Sequence, residues 1–174
     1  MTSRSIIGLV LAALLAVPAA AQAQTRRSTS SSGSGIWLGG MLGLEAGGES
    51  GLQIRADGEV PLARLAPTLQ LAGVGTISYA WLSHNTGVLE LLPAARLNWA
   101  ATPTVGAYGD VGLGLFSHSQ HSHSDVGAVM RFAAGGYYEM NSITRLVAEM
   151  GLHPHFGDYS DTTFTLMLGV KFRL

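Results

Sequence analysis

Six histidines and a run of serines are the residues of this chain with the most obvious capacity for chemistry. Three of the histidines fall in Ser117-His118-Ser119-Gln120-His121-Ser122-His123-Ser124, and His153 and His155 follow about thirty residues later. Imidazoles of this kind bind zinc, copper or nickel, and the His121-x-His123 pair suits a loop site with His118 beside it. No acidic ligand or cysteine completes a known metal spacing, so the stretch reads as a flexible, solvated loop that is metal-free at rest. Ser83, His84, Ser117, His118 and Ser122 also raise the question of an activated serine. That chemistry needs a base within hydrogen-bond reach of the nucleophile and a third group to orient the base. The spacing supplies no such trio, and no catalytic residue is assigned. The sequence asks for no cofactor.

A second set of candidates is larger and more ordered. Glu45, Arg55, Asp57, Glu59, Glu90, Arg96, Asp110, Arg131, Glu139, Arg145, Glu149, Lys171 and Arg173 are seven acids and six bases. Each lies in a segment whose residues alternate with a period of two, which is the period of a strand. The segments are Ile36–Glu45, Gly51–Val60, Pro67–Leu82, Gly87–Trp99, Thr104–Phe116, Val126–Glu139, Ile143–His153 and Thr162–Leu174. Turn signals separate them: Gly47-Gly48, Pro61 with Pro67, His84 to Gly87, Thr102-Pro103, the Ser/His stretch, Asn141-Ser142, and Pro154 to Asp161. The Ser/His stretch thus becomes the third outer loop, and His153 and His155 stand at the start of the fourth. Regular strands with such punctuation indicate a sandwich or barrel.

Within every segment that holds more than one charge, all charges share a face. The second segment sets Gln53, Arg55, Asp57 and Glu59 against Leu52, Ile54, Ala56, Gly58 and Val60. The last sets Thr163, Thr165, Lys171 and Arg173 against Phe164, Leu166, Leu168, Val170, Phe172 and Leu174. A one-residue slip would exchange the two faces, so the register is strongly specified. Charged residues are 12% of the chain, whereas about a quarter of a soluble domain is charged. Too few charges are present to coat a soluble barrel, but their balanced signs can pair in a narrow interior. The apolar face then looks at lipid, and the expected fold is an all-β, eight-stranded antiparallel up-and-down transmembrane β-barrel over residues 36–174. Such a barrel is closed, because eight strands leave room only for side chains.

The leading residues agree. Arg4, the apolar run Ile6–Val17, Pro18 and Ala21-Gln22-Ala23 have the layout of a secretory signal peptide over residues 1–23. Residues 24–35 read as a flexible Ser/Gly-rich linker. There is no cysteine, which argues against a disulfide framework and against a lipid-anchored cysteine. Net charge is −1, so nothing points to nucleic acid.

The chain ends Met167-Leu168-Gly169-Val170-Lys171-Phe172-Arg173-Leu174. Gly169, Phe172 and Leu174 resemble the C-terminal assembly signal of outer-membrane barrels: a glycine, an aromatic three residues on, and a terminal hydrophobic residue. The family usually ends in phenylalanine, where this chain has leucine. Signal peptide, even strand count, alternation and terminal motif together resemble the small eight-stranded barrels of the OmpA/OmpX type. The resemblance implies the cell outer membrane as location, insertion by the barrel-assembly machinery, and contact with lipid and lipopolysaccharide. It implies a structural or small binding role in the envelope, with any protein partner unknown. Two small-barrel enzymes, a lipid A deacylase and a palmitoyltransferase, supply the alternative of lipid modification. The His-x-Ser pairing of the deacylase type does not occur on a strand face.

Overall fold

A computed structural model describes residues 35–120, 123–158 and 160–174. The expected signal peptide, and all but the last residue of the expected linker, lie outside them. The described chain forms eight strands: β1 (Trp37–Ala46), β2 (Ser50–Ala66), β3 (Leu69–Leu82), β4 (Thr86–Ala100), β5 (Val105–Gln120), β6 (His123–Glu139), β7 (Thr144–Phe156) and β8 (Thr162–Arg173). Each pairs antiparallel with its neighbours in sequence, and β1 pairs with β8 to close the barrel. Closure leaves no unpaired strand edge, the condition for placing strands in lipid. Trp37 lies opposite Arg173, so both ends of the described chain meet at one end of the barrel, the inner end below.

Alternation decides what faces where. Leu52, Leu97, Leu113, Leu166 and Leu168 are exposed on the wall, Leu168 by 66%. Arg55, Arg96, Arg131, Glu149 and Lys171 are at most 3% exposed. A wall of exposed leucine around buried arginine inverts a soluble protein and matches a lipid solvent. Among the described residues no helix is long and apolar enough to cross a membrane; strands make the crossing.

Short polar side chains shape the inner turns. Thr102 Oγ1 accepts from Val105 N at 2.9 Å and Asn141 Oδ1 accepts from Ile143 N at 3.0 Å. At the outer end, Asp161 Oδ2 accepts from Gly48 N at 2.8 Å, tying the β7–β8 connection to the β1–β2 turn. The β3–β4 turn is a single 3₁₀ turn, Ser83–Asn85, with His84 at φ 59°, the left-handed region that histidine enters more readily than most side chains.

Three stretches read as turns from the sequence are taken up into strands. Pro61 lies within β2, opposite Ala72, and a register irregularity between Pro61 and Ala63 absorbs its missing N–H. The Ser/His stretch is mostly strand: β5 continues to Gln120 and β6 begins at His123, with His118 opposite Asp125. Strand β7 runs through Pro154 to Phe156, and ladder pairing with β6 lapses beside that proline. In each case cross-strand pairing outweighed local turn composition.

Candidate functional site

The interior is the site the sequence points to, and it divides along the barrel axis. The middle and inner lumen is an ion-pair network. Glu149 on β7 is its hub: it accepts from Arg55 Nη1 at 2.6 Å, Arg131 Nη2 at 2.8 Å and Tyr108 OH at 2.8 Å, with Arg96 Nη2 at 3.4 Å. Asp110 lies between Arg96 and Arg131. Glu59 gathers Arg96 at 3.1 Å, Lys171 at 3.2 Å and Asn98 Nδ2 at 2.8 Å, and Lys171 also reaches Asp57 at 2.8 Å. Arg145 pairs with Glu139 at 2.7 Å and stacks on the rings of Trp37 and Tyr137, each 4.1 Å away. The guanidinium of Arg96 lies 3.8 Å over the ring of Tyr108, a favourable place for a desolvated cation.

Close-fitting glycines make room for these side chains. A Cβ on Gly106 would stand 2.2 Å from the Tyr137 ring, and one on Gly135 2.4 Å from that of Tyr108. Two apolar clusters share the lumen: Ala80, Leu82, Val88, Leu92, Phe116 and Val129 toward the outer end, and Met41, Tyr108, Tyr137, Val147 and Met167 deeper. The sequence reading followed the charges and named neither cluster. Val88 and Leu92 share a face with Glu90, and Phe116 shares one with Asp110, so the same parity test would have found them.

Three of the thirteen expected lumen charges stand apart from the Arg/Lys network: Arg173, Glu45 and Glu90, the last held by Ser78, His153 and His155. Arg173 is half-buried and lies over the Trp37 ring at 5.0 Å, without an ion pair among the described residues. Glu45 is buried at the outer end, away from every arginine and lysine of the network. Glu139, though paired, is only half-buried.

The outer lumen has a different chemistry. Glu90 on β4 accepts from Ser78 Oγ at 3.0 Å and faces His153 Nδ1 at 3.1 Å and His155 Nε2 at 2.9 Å; Gln53 Nε2 lies 3.4 Å from Ser78 Oγ. His153 and His155 are therefore buried strand residues at 1% and 2% exposure, which corrects their expected place in an outer loop. Their i, i+2 spacing puts both on the lumen face of β7. His118 is likewise buried, on β5. His121 lies outside the described residues, and of His123 only the backbone is described, at the start of β6. Among the described residues, no three histidine or carboxylate side chains surround a point where they could hold a metal ion.

Charge is thus sorted along the axis. The outer end carries Glu45, Glu49, Glu90, Asp125, Asp158 and Asp161, together with the five described histidines, and neither Arg nor Lys. Every base of residues 35–174 lies in the middle or at the inner end: Arg55, Arg64, Arg96, Arg131, Arg145, Lys171 and Arg173.

No protein-family model matches the sequence, and no curated protein matches it significantly. Solved structures do. Neisserial surface protein A aligns with a TM-score of 0.61 at 12% identity, over 83% of this chain and 100% of that one. The outer membrane enzyme PagL aligns with a TM-score of 0.57 at 15% identity, over 79% and 99%. Ail, the attachment invasion locus protein of Yersinia pestis, aligns with a TM-score of 0.51 at 13% identity, over 80% and 97%. The likeness is one of fold, and it spans nearly the whole of each neighbour. The chain has the fold of the small eight-stranded outer-membrane β-barrels, and its apolar wall places it in a lipid bilayer.

Proposed function

We propose that this protein is an exported barrel of the cell outer membrane that does not conduct, and that it serves as a structural or small binding element of the envelope. The observation that carries the reading is the lumen plug. Arg96, Arg131, Phe116 and Lys171 are all less than 2% exposed inside the barrel, and the charges that would line a pore are spent on one another around Glu149 and Glu59. Opening a path would leave buried ions unpaired, which is costly. On this reading the leader over residues 1–23 directs export, and Gly169, Phe172 and Leu174 present the terminal strand to the barrel-assembly machinery. Lipid and lipopolysaccharide surround the wall.

Binding then falls to the outer end. Ail has been crystallised with the heparin analogue sucrose octasulfate. The outer end of this chain, with six acids and no Arg or Lys, repels a polyanion and favours a cationic or neutral partner. PagL is an enzyme, but the strand histidines whose side chains are described, His118, His153 and His155, are buried in the barrel rather than on the lipid-facing wall, which supports binding over lipid modification. Reconstitution in a planar bilayer tests the plug: no steady conductance is expected, and one comparable to a general porin would refute it. Lipid A mass spectra with and without the protein test the second point: they are expected to be identical, and a lost or added acyl chain would establish an enzyme.

A further inference from the structure

Glu45 is 2% exposed, and neither of its carboxylate oxygens has a hydrogen-bond partner among the described residues. It lies within electrostatic range of Glu90, His153 and His155. The network arginines and lysine lie deeper in the barrel, so the outer lumen holds two buried carboxylates without a permanent cation. A buried carboxylate without a positive counterpart is unfavourable; something must compensate it.

The side chains around Glu45 indicate what. Glu45 lies opposite Thr165 in the β1–β8 ladder, Thr165 lies opposite Gly151 on β7, and Thr163 lies opposite His153. Thr163 Oγ1, Thr165 Oγ1 and His153 Nε2 are buried and, like the Glu45 oxygens, without a hydrogen-bond partner among the described residues. Thr163 stands beside Glu45 but outside hydrogen-bond geometry. Gly151 lets these groups close up on its backbone: a Cβ there would stand 2.8 Å from Thr165 Oγ1 and 3.2 Å from His153 Nε2, too near for a side chain. The other ring nitrogen of His153, Nδ1, is held by Glu90 at 3.1 Å. A carboxylate on one imidazole nitrogen, with the second nitrogen left unbonded beside other polar groups, is how proteins orient a histidine toward a metal ion.

We propose that the outer lumen binds one divalent transition-metal cation of the zinc, cobalt and nickel class, ligated by His153 Nε2 and the Glu45 carboxylate and oriented by Glu90. Imidazole and carboxylate suit this class. With only two strong protein ligands, the ion retains water and draws on the threonine hydroxyls, and its affinity is moderate. The site is distinct from the Ser/His stretch of β5 and β6, and it does not depend on the binding role proposed for the outer end.

The test is a titration of the untagged, folded protein in detergent with Co²⁺ alone, followed by visible absorption and calorimetry. Each variant is first checked for the mobility shift of a folded barrel on unboiled gels. One Co²⁺ per chain is expected, with affinity lowered at least tenfold in His153→Gln and in Glu45→Gln, lowered less in Glu90→Gln, and unchanged in a His121→Ala/His123→Ala variant. Should His153→Gln or Glu45→Gln fail to fold, Gly151→Ala takes its place; it presses one methyl group against Thr165 Oγ1 and His153 Nε2 and removes no charge, and it too should weaken binding. Absence of a bound ion in the unaltered protein overturns the proposal. So does binding that persists in the lumen variants, or binding lost in the His121→Ala/His123→Ala variant.

Discussion

At the scale of single residues, Glu149 carries the largest share of the interior's electrostatics. It accepts from Arg55, Arg131 and Tyr108 within 2.8 Å. Glu149→Gln retains the shape and removes the charge that balances the guanidiniums. Removing one partner of a buried ion pair costs about 3–5 kcal/mol. A loss of that size is expected in the urea midpoint of unfolding from detergent, and a change below about 1 kcal/mol would mean that water replaces the carboxylate. The charged positions themselves were legible in the sequence, because parity places Arg55, Asp57 and Glu59 on one face whatever the fold around them. Their partners were not. That Glu149 meets Arg55, 94 positions away in sequence, depends on the diameter and stagger of the closed barrel, which no local pattern encodes. His153 and His155 were misplaced for a related reason: Pro154 between them reads as a strand stop, yet the strand continues because its neighbours hold the backbone on either side.

At the scale of elements, the strands were legible wherever apolar and polar residues alternate, as in β8, and poorly legible at their ends. Strands β5 and β6 continue through serines and histidines, which signal a loop by composition. The lipid-facing side of β8 makes its own prediction. Leu166→Arg should destabilise the folded barrel by about 2–4 kcal/mol, and Leu174→Arg, at the strand end, by about 0–1 kcal/mol. Refolding into lipid vesicles of each variant measures the difference; equal effects would mean that the wall has no depth dependence. Strand-to-strand packing gives a second test. Gly106→Ala sets a methyl group against the Tyr137 ring and should destabilise, whereas Tyr137→Leu in the same chain should recover part of the loss. A double-mutant cycle reads the coupling, and strict additivity would remove Tyr137 as the reason for the glycine.

At the scale of the whole molecule, the balance of acids and bases suggested a paired interior, but it gave no hint that the charges would be sorted from one end to the other. The sorting appears only when antiparallel strands are laid side by side, since residues at one end of the barrel come from alternate ends of successive strands. A closed barrel with this distribution should also resist salt. Its ion pairs are buried and weakly screened, so its unfolding midpoint should change little between low and high sodium chloride, and a large drop would show that the interior is wet. The separation of charge has one more effect. With six acids at the outer end, and seven bases against five acids through the rest of residues 35–174, the barrel is a permanent electric dipole standing along the bilayer normal. A potential applied across a vesicle during insertion would exert a torque on it. The two orientations in which it can enter would then differ in energy before any contact with a partner is made, and the sign of the voltage would choose between them.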